Sequence, residues 1–387
     1  MQNKKKEYFL YILYNVSNQL PNLLLIPLIS ARLPPEKTGY ISTILITVGL
    51  FSLLSEWGSL SIGAQQLKKT QRTSPDLISH IEMLRIMIAV FLCGMYLFLV
   101  NDAIEWLLVC IGLSTSVIHP TWVIIGLGLE LNSIKYVLAT RCLQMLSTLY
   151  TVYRTENQNL VCLVYYLVLL IGLLGGRKLV LNHCSINLRP KFYWSAIKAH
   201  LISGFYVTIG GGMAYVITSG APIILKGYLQ HRDIAVLAIA ERILTCFRTI
   251  IGMVLQKSFI NNDDLLVWNT DFKIRYTAGM FLILVLGEVV VINLSKSETA
   301  AWCYLVMWFG FSVIGVSHKN VTLGMLGRNK IRLWFQTIAY GFVTYLATIA
   351  LVVRFSTAGI AVKIALCTMV SEFAIMILGL RRDNEHI

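Results

Sequence analysis

The hydrophobic pattern divides this chain of 387 residues into twelve apolar stretches separated by shorter polar segments. An α-helix rises about 1.5 Å per residue, so about 20 apolar residues cross about 30 Å of hydrocarbon. Nearly every stretch reaches this length, which predicts an all-α polytopic membrane protein with twelve transmembrane helices. The stretches are Tyr8–Ala31, Tyr40–Leu67, Ile81–Val100, Ala103–Leu127, Lys135–Tyr153, Leu160–Gly176 (the shortest), Leu201–Leu225, Ile234–Gln256, Tyr276–Leu294, Thr299–Met325, Leu333–Val353 and Phe355–Leu380.

The composition agrees with this class, since 56% of the residues are hydrophobic and only 13% are charged. The eight cysteines are dispersed, and none forms a Cys-x-x-Cys pair. They are therefore expected to be small apolar side chains and neither disulfides nor metal ligands. The first stretch follows a lysine-rich start but exceeds the length of a signal-peptide core, which predicts an uncleaved helix.

The distribution of basic residues predicts the orientation of the chain. With the N-terminus in the cytoplasm, 21 of the 33 Lys and Arg residues fall in cytoplasmic segments, seven fall outside, and the rest lie within the stretches. Cytoplasmic loops of membrane proteins carry such an excess, so both termini are expected to be cytoplasmic. The net charge of +14 is then an anchoring charge of a membrane protein and no sign of nucleic-acid binding.

A long polar segment, Arg177–His200, lies at the middle of the chain. It predicts two lobes of six helices each, over residues 1–190 and 191–387, related as parallel repeats. Similar segments recur at equivalent loops: Pro27–Leu33 with Pro222–Tyr228, and Asn132–Lys135 with Asn329–Arg332. The alternative explanation of this similarity is that helix ends in bilayers share composition.

The loops argue against an enzyme. None is long enough for a soluble catalytic domain, and there is neither a Gly-rich phosphate loop followed by Lys-Ser/Thr nor a His-Glu-x-x-His motif. Asp263-Asp264 fits a solvated loop better than a metal site, because no nucleotide-binding fold can surround it. The expected function is secondary transport by alternating access, with no cofactor and no metal.

Charged residues within the apolar stretches are the sharpest sign of a site. An ionised side chain at mid-bilayer costs about 2.5–3.5 kcal/mol, so it usually faces a partner or an aqueous cavity. Most of these residues are basic, and a basic cavity suits an anion that Arg can bind with two parallel hydrogen bonds. The acids could pair with the bases or titrate during transport. The predicted set comprises the bases Arg32, Arg141, Arg242, Arg248 and Lys363 and the acids Glu56, Glu241 and Glu372.

Lys363, Glu241 and Arg248 each have an alternative interpretation, and a further pair of charges, Glu82 and Arg85, is not assigned to the site. Lys363 is near the outer surface and could extend its ammonium group to the interface. Glu241 and Arg248 are two helical turns apart on one face, so they could be a charge-compensating pair. Glu82 and Arg85 are spaced i,i+3 near the cytoplasmic start of the third stretch, which predicts an ordinary surface pair.

Several short motifs resemble the O-antigen and polysaccharide flippases of the Wzx type. The segment Asn18–Tyr40 resembles the opening of that family, and Glu56–Ala64 resembles its acid-x-Gly motif followed by small residues. Pro120–Gly126 is similar to an aromatic-rich stretch ending in Gln-Gly, although Ile125 replaces the Gln. Ala240–Gln256 resembles an Ala-Glu-Lys/Arg motif followed by Gly and Gln, and Leu326–Lys330 is similar to the turn after helix 10.

This resemblance covers most of the chain and implies the fold of the multidrug, oligosaccharidyl-lipid and polysaccharide exporters, with two six-helix lobes around a central cavity. It implies a flippase that moves an undecaprenyl-diphosphate-linked oligosaccharide across the bacterial inner membrane. The implied partners are this lipid-linked substrate, membrane lipid, and the polysaccharide polymerase and chain-length machinery, with no nucleic acid. The rivals are a drug or metabolite antiporter of the same fold and an O-antigen polymerase, although no sizeable periplasmic loop of the kind a polymerase needs is present.

Overall fold

The described part of the chain is helical and contains no β-strand, which confirms the all-α prediction. It comes from a computed structural model, which describes residues 13–14, 17–18, 21, 25–70, 75–184, 191–225, 228–245, 270–295, 297–318, 331–355 and 359–384. The helices are α1 (25–30), α2 (Pro35–Glu56), a π-helical turn (Ser59–Gly63), α3 (Ala64–Thr70), α4 (Pro75–Leu99), α5 (Ala103–Ile118), α6 (Thr121–Leu127), α7 (Glu130–Arg154), α8 (Gln158–Cys184), α9 (Trp194–Ser219), α10 (Ala221–Ile224), α11 (231–245), α12 (Thr270–Ser295), α13 (Glu298–His318), α14 (Ile331–Phe355) and α15 (Ile360–Asn384).

Seven helical spans within the described residues are long and apolar enough to cross a membrane. They confirm a multi-pass membrane protein. The helix α8 is longer than the predicted sixth stretch, because it continues through the polar residues after Gly176. The last helix begins at Ile360 and not at Phe355, since Gly359 adopts a left-handed backbone conformation with φ of 62°.

The second and fourth apolar stretches are each interrupted, although the hydropathy pattern predicts continuous helices. Trp57 and Gly58 both have positive φ, 40° and 72°, and they separate α2 from the π-helical turn. The other interruption is at His119 and Pro120, between α5 and α6. Pro120 has no N–H to donate, and its ring obstructs the preceding turn. Because the flanking residues stay apolar, hydropathy alone does not detect these interruptions.

The second halves of the two interrupted stretches pack closely against each other, since glycine lies at the contact. A β-carbon added at Gly126 would lie 2.9 Å from Leu67 Cβ and 3.1 Å from the carbonyl oxygen of Ala64. The rings and aliphatic groups around this contact, including those of Trp122 and Ile124, are buried. Small residues allow this close backbone approach.

We expect Gly126→Val to destabilise the protein by about 1–3 kcal/mol, because the new methyl groups overfill this contact. The thermal midpoint of the purified protein should fall accordingly. Gly94→Val is the matched control, since Gly94 is also helical but nothing lies within 4 Å of its added β-carbon. A Gly126→Val protein as stable as the Gly94→Val protein would contradict the close packing.

The contacts group the chain into two compact units. Unit 1 contains residues 1–21 and 44–212, and unit 2 contains residues 22–43 and 213–387. The division therefore falls within α2 and within α9, where it follows Gly212. The predicted boundary between lobes at residues 190 and 191 stays a prediction.

The predicted orientation can be tested with single-cysteine reporters after the native cysteines are replaced. Reporters at Glu36 and Ser297 should react with an impermeant thiol reagent added outside the cell. Reporters at Lys69, His183 and Arg328 should react only after the membrane is opened, because these segments belong to the Lys- and Arg-rich side. Arg328 lies outside the described residues. Outside labelling at His183 would contradict the orientation.

Candidate functional site

The helix α7 in unit 1 has its polar face toward the interior of the unit and its apolar face outward. Gln144 and Thr148 are fully buried, and Thr151 is nearly so. Leu143 and Leu146 lie on the other face and are 60% and 61% exposed. A membrane helix with an apolar outer face and a polar inner face is typical of one that borders a polar site.

Arg141 lies on this polar face and is bound by carboxamides. Its Nε and Nη2 donate to the Asn18 side-chain oxygen at 3.3 Å, and its Nη1 donates to Gln144 Oε1 at 3.0 Å. Gln144 in turn donates to the carbonyl oxygen of Tyr165 at 3.2 Å. Among the residues that the structure describes, no carboxylate forms an ion pair with Arg141. The positive charge of Arg141 is therefore not neutralised by any described acid.

A second polar group lies beside Arg141, at the interruption between α5 and α6. His119 contacts Thr121 through its Nδ1, and the Tyr14 hydroxyl donates to Thr121 Oγ1 at 3.4 Å. The charges of Arg141 and Arg85 both act on the His119 ring. Both cations thus lie near this interruption.

Arg85 is buried, so the expectation of a surface pair with Glu82 is wrong. Only 1% of Arg85 and 4% of Glu82 is exposed. Arg85 donates to the carbonyl oxygens of Ser116 and His119, whereas Glu82 forms its ion pair with Arg177 from α8. The partners come from other helices, which the i,i+3 spacing on α4 does not show.

Glu56, at the end of α2, interacts electrostatically with Arg85. Next to Glu56, the hydroxyl group of Ser55 lies 2.9 Å from that of Ser116, so a hydrogen bond connects the two stretches near their interruptions. The structure thus brings Glu56 and Arg141, two of the predicted residues, into one unit and adds Arg85 to them.

In unit 2, Glu241 on α11 is the centre of a buried polar group. Its Oε1 accepts hydrogen bonds from Ser219 and from Thr245, the latter at 2.6 Å. Its Oε2 lies 3.7 Å from Arg242 Nε. Glu241 also borders a cavity of about 10 Å³, room for about one water molecule, together with Thr218 and Thr368. Both charges of this pair are largely buried, which fits a structural role as well as a substrate role.

Unit 2 contains four other predicted residues, which occupy other positions of the chain. Arg32 is exposed in the turn that follows α1. Lys363 lies in the first turn of α15, from which a lysine can reach the membrane surface. Glu372 is buried, 3% exposed, further along the same helix. Arg248 lies outside the described residues.

One acid within a membrane helix was missed by the sequence reasoning. Glu288 lies two turns from the end of α12 and borders a cavity of about 630 Å³ between α12 and α13. Glu298 and Trp302 also line this cavity, and its described lining contains no Lys or Arg. The depth of Glu288 in the ninth apolar stretch was the signal that could have identified this residue.

An exposed ion pair joins the segment before α9 to the start of α4 in unit 1. Lys191 Nζ donates to Asp76 Oδ1 at 2.8 Å, and the Lys191 backbone N–H donates to Ser79 Oγ at 2.6 Å. The hydrogen bond and the charge of Asp76 raise the pKa of Lys191. Exposed pairs of this kind contribute little to the free energy of unfolding. The contacts of Lys191 attach the segment before α9 to the start of α4.

Comparison with known proteins identifies the fold. No family profile matches the chain, and no curated protein matches it. Solved structures do match. A MATE structure in complex with MaL6 aligns with a TM-score of 0.62 at 14% identity, covering 98% of this chain and 96% of the other. An outward-facing multidrug resistance MATE transporter of the MOP superfamily aligns with a TM-score of 0.57 at 11% identity, with the same coverage.

A third structure carries information about pocket charge. It is a MOP superfamily transporter from Pyrococcus furiosus, described as having a binding pocket of reverse polarity that suggests a different function. It aligns with a TM-score of 0.56 at 11% identity over 98% of this chain and 96% of the other. The chain therefore has the fold of the MATE and MOP transporters. At these identities the likeness establishes the fold alone.

Proposed function

We propose that this protein is a flippase for an undecaprenyl-diphosphate-linked oligosaccharide, acting by alternating access in the bacterial inner membrane. The observation that carries the proposal is Arg141, a guanidinium within unit 1 whose described partners are the carboxamides of Asn18 and Gln144. A cation kept within a membrane protein without an acidic partner is costly unless it has a function. An anionic cargo supplies the missing negative charge.

The chemistry of Arg141 suits a diphosphate. A guanidinium donates two parallel hydrogen bonds to phosphate oxygens, and such charge-assisted bonds are about twice as strong as neutral ones. Its present acceptors are neutral amide oxygens, which a phosphate can replace at small cost.

Glu56 and Glu241 fit roles in coupling or charge pairing under this proposal. Glu56 interacts with Arg85 in unit 1, and Glu241 lies 3.7 Å from Arg242 in unit 2. The other four predicted bases, Arg32, Arg242, Arg248 and Lys363, would contribute positive charge to substrate binding. The polysaccharide polymerase and the chain-length machinery, which act on the flipped product, are the proposed protein partners.

A drug antiporter of the same fold is the second candidate function. The observation that favours it is the cavity of about 630 Å³ beside Glu288, whose described lining consists of two acids, a serine and apolar side chains. A cavity of this size and charge suits a cationic amphiphile. Three of the similar structures are described as multidrug transporters or as MATE complexes, in agreement with this candidate.

Two assays in the same cells separate the candidates. The full chain is expressed in a strain that lacks its own O-antigen flippase, and surface polysaccharide is measured beside the efflux of a cationic dye. The flippase proposal predicts restored polysaccharide and no change in dye efflux. The complementation is repeated in strains that make repeat units of different structure. Dye efflux without restored polysaccharide in any of these strains would support the antiporter.

A further inference from the structure

The end of α5 in unit 1 has a cation bound to its carbonyl groups. The helix stops at Ile118 because Pro120, which has no N–H, follows, so the only backbone donor described for the Ser116 carbonyl is the His119 N–H at 3.2 Å. Arg85 Nη1 donates to the carbonyl oxygen of His119 at 3.3 Å, and Arg85 Nη2 donates to that of Ser116. The guanidinium therefore occupies the position at which the negative end of the helix dipole attracts a cation.

The surroundings of Arg85 also have the character of a cation site. Glu56 and Glu82 both attract the guanidinium, while Arg177 neutralises part of the charge of Glu82. Arg85 is 1% exposed, so water does not screen these interactions. The Nε of Arg85 is buried and has no hydrogen-bond partner within the described ranges. The guanidinium is thus bound by two carbonyl oxygens and attracted by two acids, and a cation favours such surroundings.

We propose that the junction of the two interrupted stretches in unit 1 is a site for a small monovalent cation, and that the guanidinium of Arg85 is its resident cation. In membrane transporters, the carbonyl ends of interrupted helices commonly coordinate a free ion. Here the chain's own side chain fills that place. Removing the guanidinium leaves a site of matching shape and charge, which a free guanidinium ion can occupy.

The site favours guanidinium over a metal ion. A guanidinium is planar, presents several N–H donors, and is weakly hydrated, so two carbonyl oxygens and nearby acids suffice to bind it. Na⁺ needs a closer and fuller shell of oxygen ligands, whereas the described acceptors of the guanidinium are the two carbonyl oxygens of Ser116 and His119. The proposal holds for an anionic cargo and for a cationic one, so it stands independently of the proposed function.

The test measures the thermal midpoint of the full chain, purified in detergent, for Arg85→Met, Arg85→Lys and the native protein. Each is measured in methylguanidinium chloride, sodium chloride or choline chloride at equal millimolar concentration. Arg85→Met should lower the midpoint by about 5 °C or more, because it leaves Glu56 and the carbonyls without a cation. Methylguanidinium should restore part of that loss, whereas Na⁺ and choline should not. Arg85→Lys should lie between the native protein and Arg85→Met.

Arg154→Met is the control, because Arg154 is exposed at the end of α7 and lies over the ring of Tyr150. Its midpoint should not respond to methylguanidinium. If Arg85→Met yields too little protein for this measurement, the amount of folded protein in the membrane is measured instead. The Arg85→Lys protein is then expected to be more abundant than the Arg85→Met protein. Equal values for Arg85→Lys and Arg85→Met would overturn the proposal. So would an Arg85→Met protein that gains no more from methylguanidinium than from choline.

Discussion

Replacing Arg141 by glutamine should reduce translocation of a diphosphate-linked cargo by about 10- to 100-fold, with nearly normal amounts of folded protein. The expected loss corresponds to charge-assisted hydrogen bonds of about 1.5–3 kcal/mol. The protein should remain folded because the glutamine amide can bond to Asn18 and Gln144, the present partners of the guanidinium. Arg141→Lys should keep part of the activity, since it retains the charge but loses the two parallel bonds. Surface polysaccharide per folded protein in a flippase-deficient strain is the measurement.

Arg154→Gln is the matched control, because Arg154 lies on the same helix but is exposed. It should leave transport unchanged. Normal polysaccharide from Arg141→Gln protein would show that Arg141 does not bind the cargo. A large loss of folded protein in both Arg141 variants would instead indicate a structural role for the guanidinium.

Replacing Glu241 by alanine should destabilise the protein by about 3–5 kcal/mol, because it removes the carboxylate that pairs with Arg242 and the oxygen that accepts hydrogen bonds from Ser219 and Thr245. The side chains of Glu241 and Arg242 are only 7% and 11% exposed, so solvent screens the pair little. The double change Glu241→Gln with Arg242→Gln should recover most of the folded protein, since neither charge is then left without its opposite. Folded protein in the membrane and the thermal midpoint are the measurements.

Transport by the double variant distinguishes the roles of the pair. If Arg242 also binds the cargo, the double variant folds but transports poorly. If the pair is only structural, folding and transport recover together. A single Glu241→Ala protein that is as stable as the native one would contradict the contact of Glu241 with Arg242.

The helices could be predicted from the sequence because each must cover the bilayer with apolar side chains. The interruptions at Trp57–Gly58 and His119–Pro120 could not be predicted from hydropathy, since tryptophan, glycine and proline occur there among apolar neighbours. Pro120 was a visible signal, but a proline in a membrane helix can produce a kink as well as an interruption. Only the packing of α3 on α6 decides between them.

The candidate site was predicted in part. The depth of Arg141 and Glu56 in their stretches identified them, because charge in a bilayer is costly wherever it lies. Their partners were beyond the sequence, since Asn18 is 123 residues away from Arg141. Arg85 was misassigned because its spacing from Glu82 suggested a local pair. The helix α4 begins at Pro75, which places Arg85 about 15 Å from its start, whereas the hydropathy pattern begins the third stretch only at Ile81.

Reconstitution measures the central claim most directly. The purified full chain is placed in liposomes that contain a polyprenyl-diphosphate-linked oligosaccharide with a fluorescent sugar, and the fraction that an impermeant quencher reaches is followed in time. The flippase account predicts that the native protein raises this fraction beyond the outer leaflet, whereas liposomes with Arg141→Gln protein behave as empty ones. Equal quenching with native protein and with empty liposomes, from a preparation shown to be folded, would contradict it.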